Sequence, residues 1–468
     1  MKSKHIHFMG IGGSALSGVA VMAKREGFNV SGCDLEKDNA YLEKVKKEGI
    51  KIFTDHDEKH LKGVDILAAS PAVVYLNKKH PEFVTAKKRG ILQIWDEFVG
   101  KYLLKNKEVI CVTGTHGKST TTSLASLLFE DAGIDINSIV GAKVKRWDSN
   151  YRWGKSKLFI IEADDFYEKF LNYNPSTIIL NNIEFDHPDF FKSEEDMIAS
   201  YAKFVRLLKK NCNLIVNQDS LGNKKLFDKL PLKLLNEINL YGYTLSAKPK
   251  IKLKNSVKGS VLKADEKGTL FKTTANTLDI NGQYRLSIPG EHNVSNGLGV
   301  IILGKIYGIR SGFVKKTLKN FSGIVRRLEF IGEKRGVMVY DDYAHHPTAI
   351  KVTIAAIKQK HPNQRIWAIV EPHSYSRTKA LLNNYKGVFG GTFKVVVGPI
   401  FKARDTETFG VDGNSIVKAS EHKNAVYKKD LEGVLSSVKE EVEAGDVILV
   451  MGAGYSYKWA REILNRLE

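Results

Sequence analysis

Cysteine is nearly absent: the 468 residues contain three, Cys33, Cys111 and Cys212. None stands in a Cys-x-x-Cys pairing. So sparse and odd a set excludes a disulfide framework, argues against a zinc site, and fits a reducing cytoplasm. Long apolar runs are missing too, with nowhere eighteen consecutive apolar residues. A membrane span is therefore not expected, and the brief apolar stretch after Lys4 reads as a strand rather than an export signal. No low-complexity tract or short repeat occurs. There is no Gly-x-Ser-x-Gly elbow and no plausible cysteine nucleophile, so covalent catalysis through the protein is not expected. Acidic residues are outnumbered, 52 Asp and Glu against 72 Lys and Arg, for a net charge of +20. Half of that excess lies between Arg206 and Lys272, where 15 basic residues face 5 acidic ones. The lysines there are scattered among Asn, Leu and Ile, without aromatic interleaving or a helix-turn-helix, zinc-finger or RNA-recognition signature. That segment reads as a solvated face that attracts anions, and no nucleic-acid partner is expected.

At 43% hydrophobic and 26% charged residues, the composition is that of an ordinary globular protein. Single cores stop growing at about 250 to 300 residues, so this length predicts several domains, with three the central expectation.

The stretch around which the chain is organised is Val109 to Thr122, an apolar run that breaks into Gly114-Thr115-His116-Gly117-Lys118-Ser119-Thr120 and then into a helical pattern to Asp131. Strand, glycine turn and helix together make a phosphate loop. The glycines let backbone N–H groups turn around an anion, Lys118 adds a mobile positive charge, and the Ser119 hydroxyl can hold Mg²⁺. Val112 stands where the full pattern has its first glycine, so only the shortened form is present.

An earlier unit runs from strand His5–Met9 through Gly10-Ile-Gly12-Gly13-Ser-Ala15 into a helix, then to a strand ending near Asp34. This is a βαβ unit with the Gly-x-Gly-x-x-Ala form of the dinucleotide fingerprint, which predicts a diphosphate-bearing ligand at the helix N-terminus. Asp34 is placed to take a ribose hydroxyl or a base edge, or simply to cap a turn. Asp65 to Ser70 reads as another strand, with Pro71 opening a loop at its carboxyl edge, where open α/β sheets bind ligands. A polar segment, Lys101 to Glu108, reads as a linker.

Further polar clusters fall at strand ends. Leu158–Ile161 runs into Glu162-Ala-Asp164-Asp165, and an acid beside a phosphate-loop strand is where Mg²⁺ needs a ligand; Glu162 is the better placed. Thr177–Leu180 ends in Asn181-Asn182-Ile-Glu184-Phe-Asp186-His187. Asn293 and Asn296 open a helix and suit adenine or ribose, although Asn also caps helices. Arg326-Arg327 could clamp phosphate across a domain gap. The last third alternates strand and helix again, with Asp341-Asp342-Tyr343-Ala-His345-His346, Glu371-Pro-His373 to Arg377, and Gly452-Ala-Gly454 at strand ends, a second Rossmann-like sheet. The region from Val205 to Ile288 carries no assignable chemistry.

Taken in order, these motifs resemble the Mur ligase family over nearly the whole chain, and Asp-Asp-Tyr-x-His-His-Pro-Thr with Pro-His-x-x-Ser-Arg-Thr resembles the branch that adds L-alanine, or a recycled tripeptide, to UDP-N-acetylmuramate. The resemblance implies an α/β fold of three domains: a Rossmann-like UDP-binding domain (1–105), a central ATP-binding domain with a mostly parallel sheet (106–325) and a Rossmann-like amino-acid-binding domain (326–468). It implies ATP and Mg²⁺, with Lys118 on the β/γ-phosphates, Ser119 and Glu162 on one metal ion and His187 on a second. Lys118, Glu162 and His187 are then the catalytic set. Gly114 to Thr120, Asn293, Asn296, Arg327 and Asp342 face ATP; Gly10, Gly12, Gly13, Asp34 and Ser70 face the UDP-sugar; His345, His373 and Arg377 face the amino acid. Glu162-Ala-Asp-Asp-Phe-Tyr167 looks more like the recycling ligase, whereas Pro372-His-Ser-Tyr-Ser-Arg-Thr378 looks like the alanine adder, so L-alanine is the expected amine. A cytoplasmic monomer or homodimer is expected. A nicotinamide-dependent oxidoreductase would explain Gly10 to Ala15 and Asp34 but leave the second phosphate loop without a job. A basic nucleic-acid-binding NTPase would explain the charge and the loop but not the first fingerprint.

Overall fold

The computed structural model describes residues 3–36, 41–70 and 79–467. Pro71 and the loop it opens lie outside the described residues. Three sheets carry the chain. The first is five-stranded and all parallel, in the order β3-β2-β1-β4-β5, from β1 (His5–Met9), β2 (Asn29–Cys33), β3 (Lys51–Phe53), β4 (Ile66–Ala69) and β5 (Leu92–Ile94). Because side chains alternate across a strand, β1 sends Ile6 and Phe8 into one core and His7 and Met9 to the opposite face.

The second sheet has ten strands: β6 (Glu108–Thr113), β7 (Asn137–Val144), β8 (Ser149–Arg152), β9 (Leu158–Glu162), β10 (Thr177–Leu180), β11 (Asn213–Asn217), β12 (Asn239–Thr244), β13 (Ser256–Asp265), β14 (Gly268–Ala275) and β15 (Gly282–Leu286). Their order is β15-β14-β13-β12-β11-β10-β6-β9-β7-β8. The middle is parallel and its strands are almost wholly apolar, such as Val109 to Val112 and Ile178 to Leu180, as burial on both faces demands. The edges are antiparallel hairpins, β7-β8 on one side and β13-β14-β15 on the other; the lysine-rich segment spans two short helices, the parallel strands β11 and β12, and at its end this hairpin edge, where exposed lysines punctuate β13 and β14. Such exposed lysines are how a sheet edge is kept soluble.

The third sheet is six-stranded, β16 (Glu329–Lys334), β17 (Val337–Asp342), β18 (Ile366–Glu371), β19 (Lys394–Val397), β20 (Ala425–Tyr427) and β21 (Val447–Gly452), ordered β16-β17-β21-β18-β19-β20 with only β16 antiparallel. Sequence boundaries moved by a residue or two, and in one direction with meaning: β9, β17 and β18 take in the polar residues Glu162, Asp341-Asp342 and Glu371 as their final positions. Those side chains are thus fixed by strand geometry rather than carried on loops. The expected linker from Lys101 begins as a helical turn, Val99–Leu103, and ends in the first residue of β6.

The first and second domains meet along the helix Ser14–Arg25, which lies on the β7-β8 hairpin. Gly18 faces Tyr151 so closely that a Cβ would stand 2.9 Å from its side chain, and the Asn150 amide donates to the Ser14 carbonyl. Between the second and third domains the chain passes through a tight junction in which Gly323, Arg326 and Leu328 all have positive φ, of 77°, 61° and 47°. Arg326 fastens that junction to the third domain: it donates to Asp341 (3.2 Å), to the Gly452 carbonyl (2.8 Å) and to Ser456 (2.9 Å), between the rings of Tyr343 and Tyr457.

Candidate active site

The three domains enclose one large cleft of about 1550 Å³, open to solvent. Its floor is the phosphate loop. Gly114 and Gly117 have φ of +131° and +80°, and a Cβ on Gly117 would meet Asn296 Oδ1 at 2.5 Å and Asn181 Nδ2 at 2.9 Å. Only glycine satisfies both the conformation and the space. The loop is braced by the segment following β10: the Thr115 N–H donates to the Asn182 carbonyl and the His116 N–H to Asn182 Oδ1, each at 2.9 Å. The helix begins at Lys118 itself, so its N-terminal N–H groups face the cleft.

Lys118 reaches across to the end of β9, where its ammonium lies 2.9 Å from Asp165 Oδ1 and 3.9 Å from Asp164. Burial favours the neutral amine, but Asp165 and Asp164 outweigh it and hold Lys118 above the ordinary lysine range, fully charged. Burial likewise pushes Asp164 up, and Lys169 and Lys118 overcome it, keeping that carboxylate below its usual range. Asp165 Oδ2 is buried without a hydrogen-bond partner. Glu162, the last residue of β9, accepts from Ser119 Oγ at 3.0 Å and from the Gly141 N–H at 2.6 Å, and burial raises its pKa against those bonds. A hydroxyl and a carboxylate facing one another at a helix N-terminus form a hard oxygen donor set, which fits Mg²⁺.

His187 has a left-handed backbone, φ 55°, and its ring lies against Phe166. Its Nδ1 stands 3.4 Å from an Arg377 guanidinium nitrogen. A second cation there would meet that fixed positive charge, so His187 fits a metal less well than Ser119 and Glu162 do. Arg377 is buried, with Nε donating to Asp186 Oδ1 at 2.6 Å and Nη1 lying 2.7 Å from His373 Nδ1. Burial would raise Asp186, but Arg377 and His187 hold it well below the carboxylate range. The Arg377 guanidinium, expected to face the amino acid, is therefore mostly engaged within the protein. Burial, Arg377 and Arg404 push the His373 imidazole down to about 3, and burial with Arg377 and His373 holds His345 well down, so both rings are neutral near pH 7.

Arg404, which the sequence reading missed, lies 4.2 Å over the Phe166 ring and donates to Asp189 at 2.7 Å. Gly141 was missed as well, while Asp165 and the pair Asn181 and Asn182 were read only as members of polar clusters at strand ends, without their partners at Lys118 and the loop backbone. An acid beside the phosphate-loop lysine was readable as one of a pair; the others depend on partners brought together only by the fold.

Asn293, Asn296, Arg327 and Asp342, the residues expected to face the nucleotide, all line the cleft. Asn296 Nδ2 donates to Asn293 Oδ1 at 3.3 Å, and the Arg327 guanidinium lies over the Tyr343 ring at 5.1 Å. The Asp342 carboxylate is spent on the backbone, accepting from the Leu328 and Ala344 N–H groups at 2.7 Å each, and burial raises its pKa. Of the first-domain residues, Gly13 and Ser70 border the cleft, while Gly10, Gly12 and Asp34 stand behind it. Asp34 Oδ2 accepts from the Gly12 N–H at 2.8 Å and Oδ1 from Glu36 at 3.0 Å, so its carboxylate shapes the glycine turn. Contacts from the third domain close the far wall: Thr348 Oγ1 donates to Glu184 at 2.5 Å, and His116 lies 2.9 Å from the same carboxylate. Although burial works against it, the hydrogen bond to His116, with His346 nearby, brings Glu184 down to about 2.

Comparison with known proteins agrees with this geometry. Residues 5–95 match the Mur ligase family catalytic domain, 112–304 the Mur ligase middle domain and 326–454 the Mur ligase glutamate ligase domain. The chain is 34% identical over 463 residues to the UDP-N-acetylmuramate--L-alanine ligase of Acetivibrio thermocellus, covering 98% of this chain and 95% of that one. It is 33% identical to the enzyme of the same name from Caldanaerobacter subterraneus, covering 99% and 98%. Among solved structures, the fold is shared with UDP-N-acetylmuramate-alanine ligase from Thermotoga maritima, at TM-score 0.76 and 23% identity over 99% and 98% of the two chains. A murein peptide ligase from Psychrobacter arcticus has the same fold, at TM-score 0.72, 23% identity and 99% coverage of both chains. Among the described residues no helix is long and apolar enough to cross a membrane. With three domains matched in order and relatives aligned end to end, the chain belongs to the Mur ligase family and is an ATP-dependent amide-forming ligase.

Proposed function

We propose that this enzyme joins L-alanine to the lactyl carboxylate of UDP-N-acetylmuramate with consumption of ATP, in peptidoglycan biosynthesis in the cytoplasm. The observation that carries the reading is the end-to-end identity with enzymes named for that reaction, 34% over 98% of this chain in the first of them. We place the domain boundaries near residues 105 and 325, with the UDP-sugar on the first domain at Gly10 to Gly13 and Ser70, ATP on the second, and the amine between the second and the third.

A carboxylate is a poor electrophile until one oxygen becomes a good leaving group. ATP phosphorylates it to an acyl phosphate, and the amine then attacks the carbonyl carbon and expels inorganic phosphate. Lys118, kept charged by Asp164 and Asp165, is positioned to neutralise the charge that develops on the transferred phosphoryl group. Ser119 and Glu162 are the residues that would hold Mg²⁺, which when bound supplies Lewis-acid neutralisation of phosphate oxygens. Asn293, Asn296 and Asp342 form the wall against the nucleoside, and Arg327 extends toward its phosphates. His345, His373 and Arg377 line the amine end; because Arg377 is tied to Asp186, we assign it to ordering this wall as well as to attracting a carboxylate, with Arg404 beside it as a second cation. Closing the third domain over the cleft keeps water from the acyl phosphate.

Incubation with ATP, Mg²⁺, UDP-N-acetylmuramate and single amines, followed by mass analysis, tests the reading. L-alanine-dependent release of phosphate with formation of UDP-N-acetylmuramoyl-L-alanine is expected. Consumption of L-alanyl-γ-D-glutamyl-diaminopimelate in preference to L-alanine would instead assign the recycling reaction, the alternative that the Glu162 to Tyr167 segment favours.

A further inference from the structure

The first domain holds a second cluster of chemistry that the ligase reaction does not use. Strand β1 pairs with β2 in the register His7 with Ser31 and Met9 with Cys33, so His7, Ser31 and Cys33 share the sheet face turned away from the helix Ser14–Arg25. Over that face lie the short helix Glu58–Leu61 and the helix Pro81–Lys88, which bring in His60 and Glu82. His7 and Glu82 are wholly buried, Cys33 is buried, and the His60 side chain is 7% exposed. None of the four lines the cleft.

A buried carboxylate needs a cation. Among the described residues no lysine or arginine supplies one: the ionisable groups there that face Glu82 are His7, His56, His60 and Cys33. Burial holds His7 and His56 below the usual histidine range and pushes the Cys33 thiol up.

The spacing of the cluster is that of a coordination shell. Ligand atoms of His7, Cys33, His60 and Glu82 lie within 4.8 Å of one another. His7 Nε2 is 3.1 Å and His60 Nδ1 3.6 Å from Glu82 Oε1, and Cys33 Sγ is 3.5 Å from Oε2. Tetrahedral zinc, with bonds of about 2.0 to 2.3 Å, sets neighbouring ligand atoms roughly 3.3 to 3.8 Å apart. His7 Nε2 makes no properly oriented hydrogen bond and points into the group. The outer atoms are held as metal ligands require: His7 Nδ1 lies 2.8 Å from Ser31 Oγ, His60 Nε2 lies 3.4 Å from Asp55, and His56 Nδ1 lies 3.0 Å from the Cys33 sulfur. Such partners fix the imidazole orientation and stabilise a thiolate.

We propose that His7, Cys33, His60 and Glu82 form a structural site for a zinc-like divalent ion, tying the two outer helices to β1 and β2. Two imidazoles, one thiolate and one carboxylate suit Zn²⁺ and its spectroscopic substitute Co²⁺. On binding, Cys33 loses its thiol proton to solvent, and the ion becomes the cation that Glu82 lacks.

The test uses the full-length protein stripped with chelator and titrated with Co²⁺ and then Zn²⁺. One equivalent of Co²⁺ is expected to give tetrahedral visible bands and a near-ultraviolet thiolate charge-transfer band, both bleached by Zn²⁺, with a rise in the thermal midpoint. Cys33→Ser, a near-isosteric change, should abolish the charge-transfer band, and Ser31→Ala should weaken binding about 10- to 100-fold through the outer shell of His7. Three results would overturn the site: no stoichiometric uptake by folded wild-type protein, a cobalt spectrum without thiolate character, or a charge-transfer band that survives Cys33→Ser. The histidine and acid group at the phosphate loop, His116, Glu184 and His346, has no sulfur and would give the second of these.

Discussion

Lys118 is the residue on which most of the chemistry converges, and its two acids set what its removal does. Lys118→Ala is expected to leave the protein folded but less stable, because Asp165 stays buried without its cation, and to lower kcat by about 10²- to 10³-fold, the typical cost of deleting one preorganised charge that acts on a transition state. Steady-state kinetics on a variant with an unchanged circular dichroism spectrum checks this, and near-normal turnover would remove Lys118 from the mechanism. A second residue carries a pH dependence. Asp96 sits at the junction of the first two domains, hydrogen-bonded by Asn172 with its other oxygen unpartnered, and burial raises it to about 6. Its folded pKa exceeds its unfolded value near 3.9, so the native state binds more protons in between and stability falls as pH climbs from about 4 to about 6. Above that window the ionised, buried carboxylate remains a constant cost. Asp96→Asn should therefore flatten this part of the stability profile and gain roughly 1 to 2 kcal/mol at pH 7.5, as read by denaturant unfolding at several pH values. An unchanged slope would mean that Asp96 is not the titrating group.

Among structural elements, the phosphate loop is the least tolerant of change. Gly117→Ala forces a Cβ into a left-handed position already crowded by Asn181 and Asn296. A stability loss of about 1 to 2 kcal/mol is expected from the backbone alone, together with a KM for ATP raised at least about tenfold because the N–H cradle shifts; titration with ATP, followed by calorimetry, measures the second effect separately. Elements were also where the sequence was most legible. Glycine turns, apolar strands and polar residues at strand ends are local signals, and Lys118, Ser119 and Glu162 could be expected to stand together, as they do, because a phosphate loop and its neighbouring strand have a fixed order. What stayed hidden depends on distance along the chain. Arg404 meets Asp189 across 215 positions and Arg377 meets Asp186 across 191, and neither pairing has a periodicity to betray it. The burial of Arg377 changes what its motif means, since a guanidinium already holding an aspartate is not an open fork for substrate. Cysteine spacing was silent for a different reason: the cluster proposed at Glu82 uses one cysteine and draws its other candidate ligands from histidine and acid on facing elements, which no cysteine count reveals.

For the whole molecule, the third domain is held on the second by charge. Asp186 and Arg377 are both buried, and truncating one partner of such a pair leaves the other unpaired at a cost of about 3 to 5 kcal/mol. Asp186→Asn is expected to loosen this contact, raising KM for L-alanine by about tenfold or more while ATP affinity of the free enzyme, set within the second domain, stays nearly unchanged. Kinetics with each substrate varied in turn separates the two, and an unaltered amine KM would show that the pair does not shape the amine end. Arg404 and Asp189, partly exposed, should contribute about 1 kcal/mol or less.

The junction between those domains joins two tasks in adjacent residues. Arg326 is bolted to the third domain through Asp341, Gly452 and Ser456, and the next side chain, Arg327, projects into the cleft from the same tightly wound backbone. The two move as one lever. With Arg326 bonded to the third domain, the position of Arg327 in the cleft is tied to that domain's orientation. Any rotation of the third domain that keeps these bonds therefore changes how far the Arg327 charge stands from an anion seated on the phosphate loop.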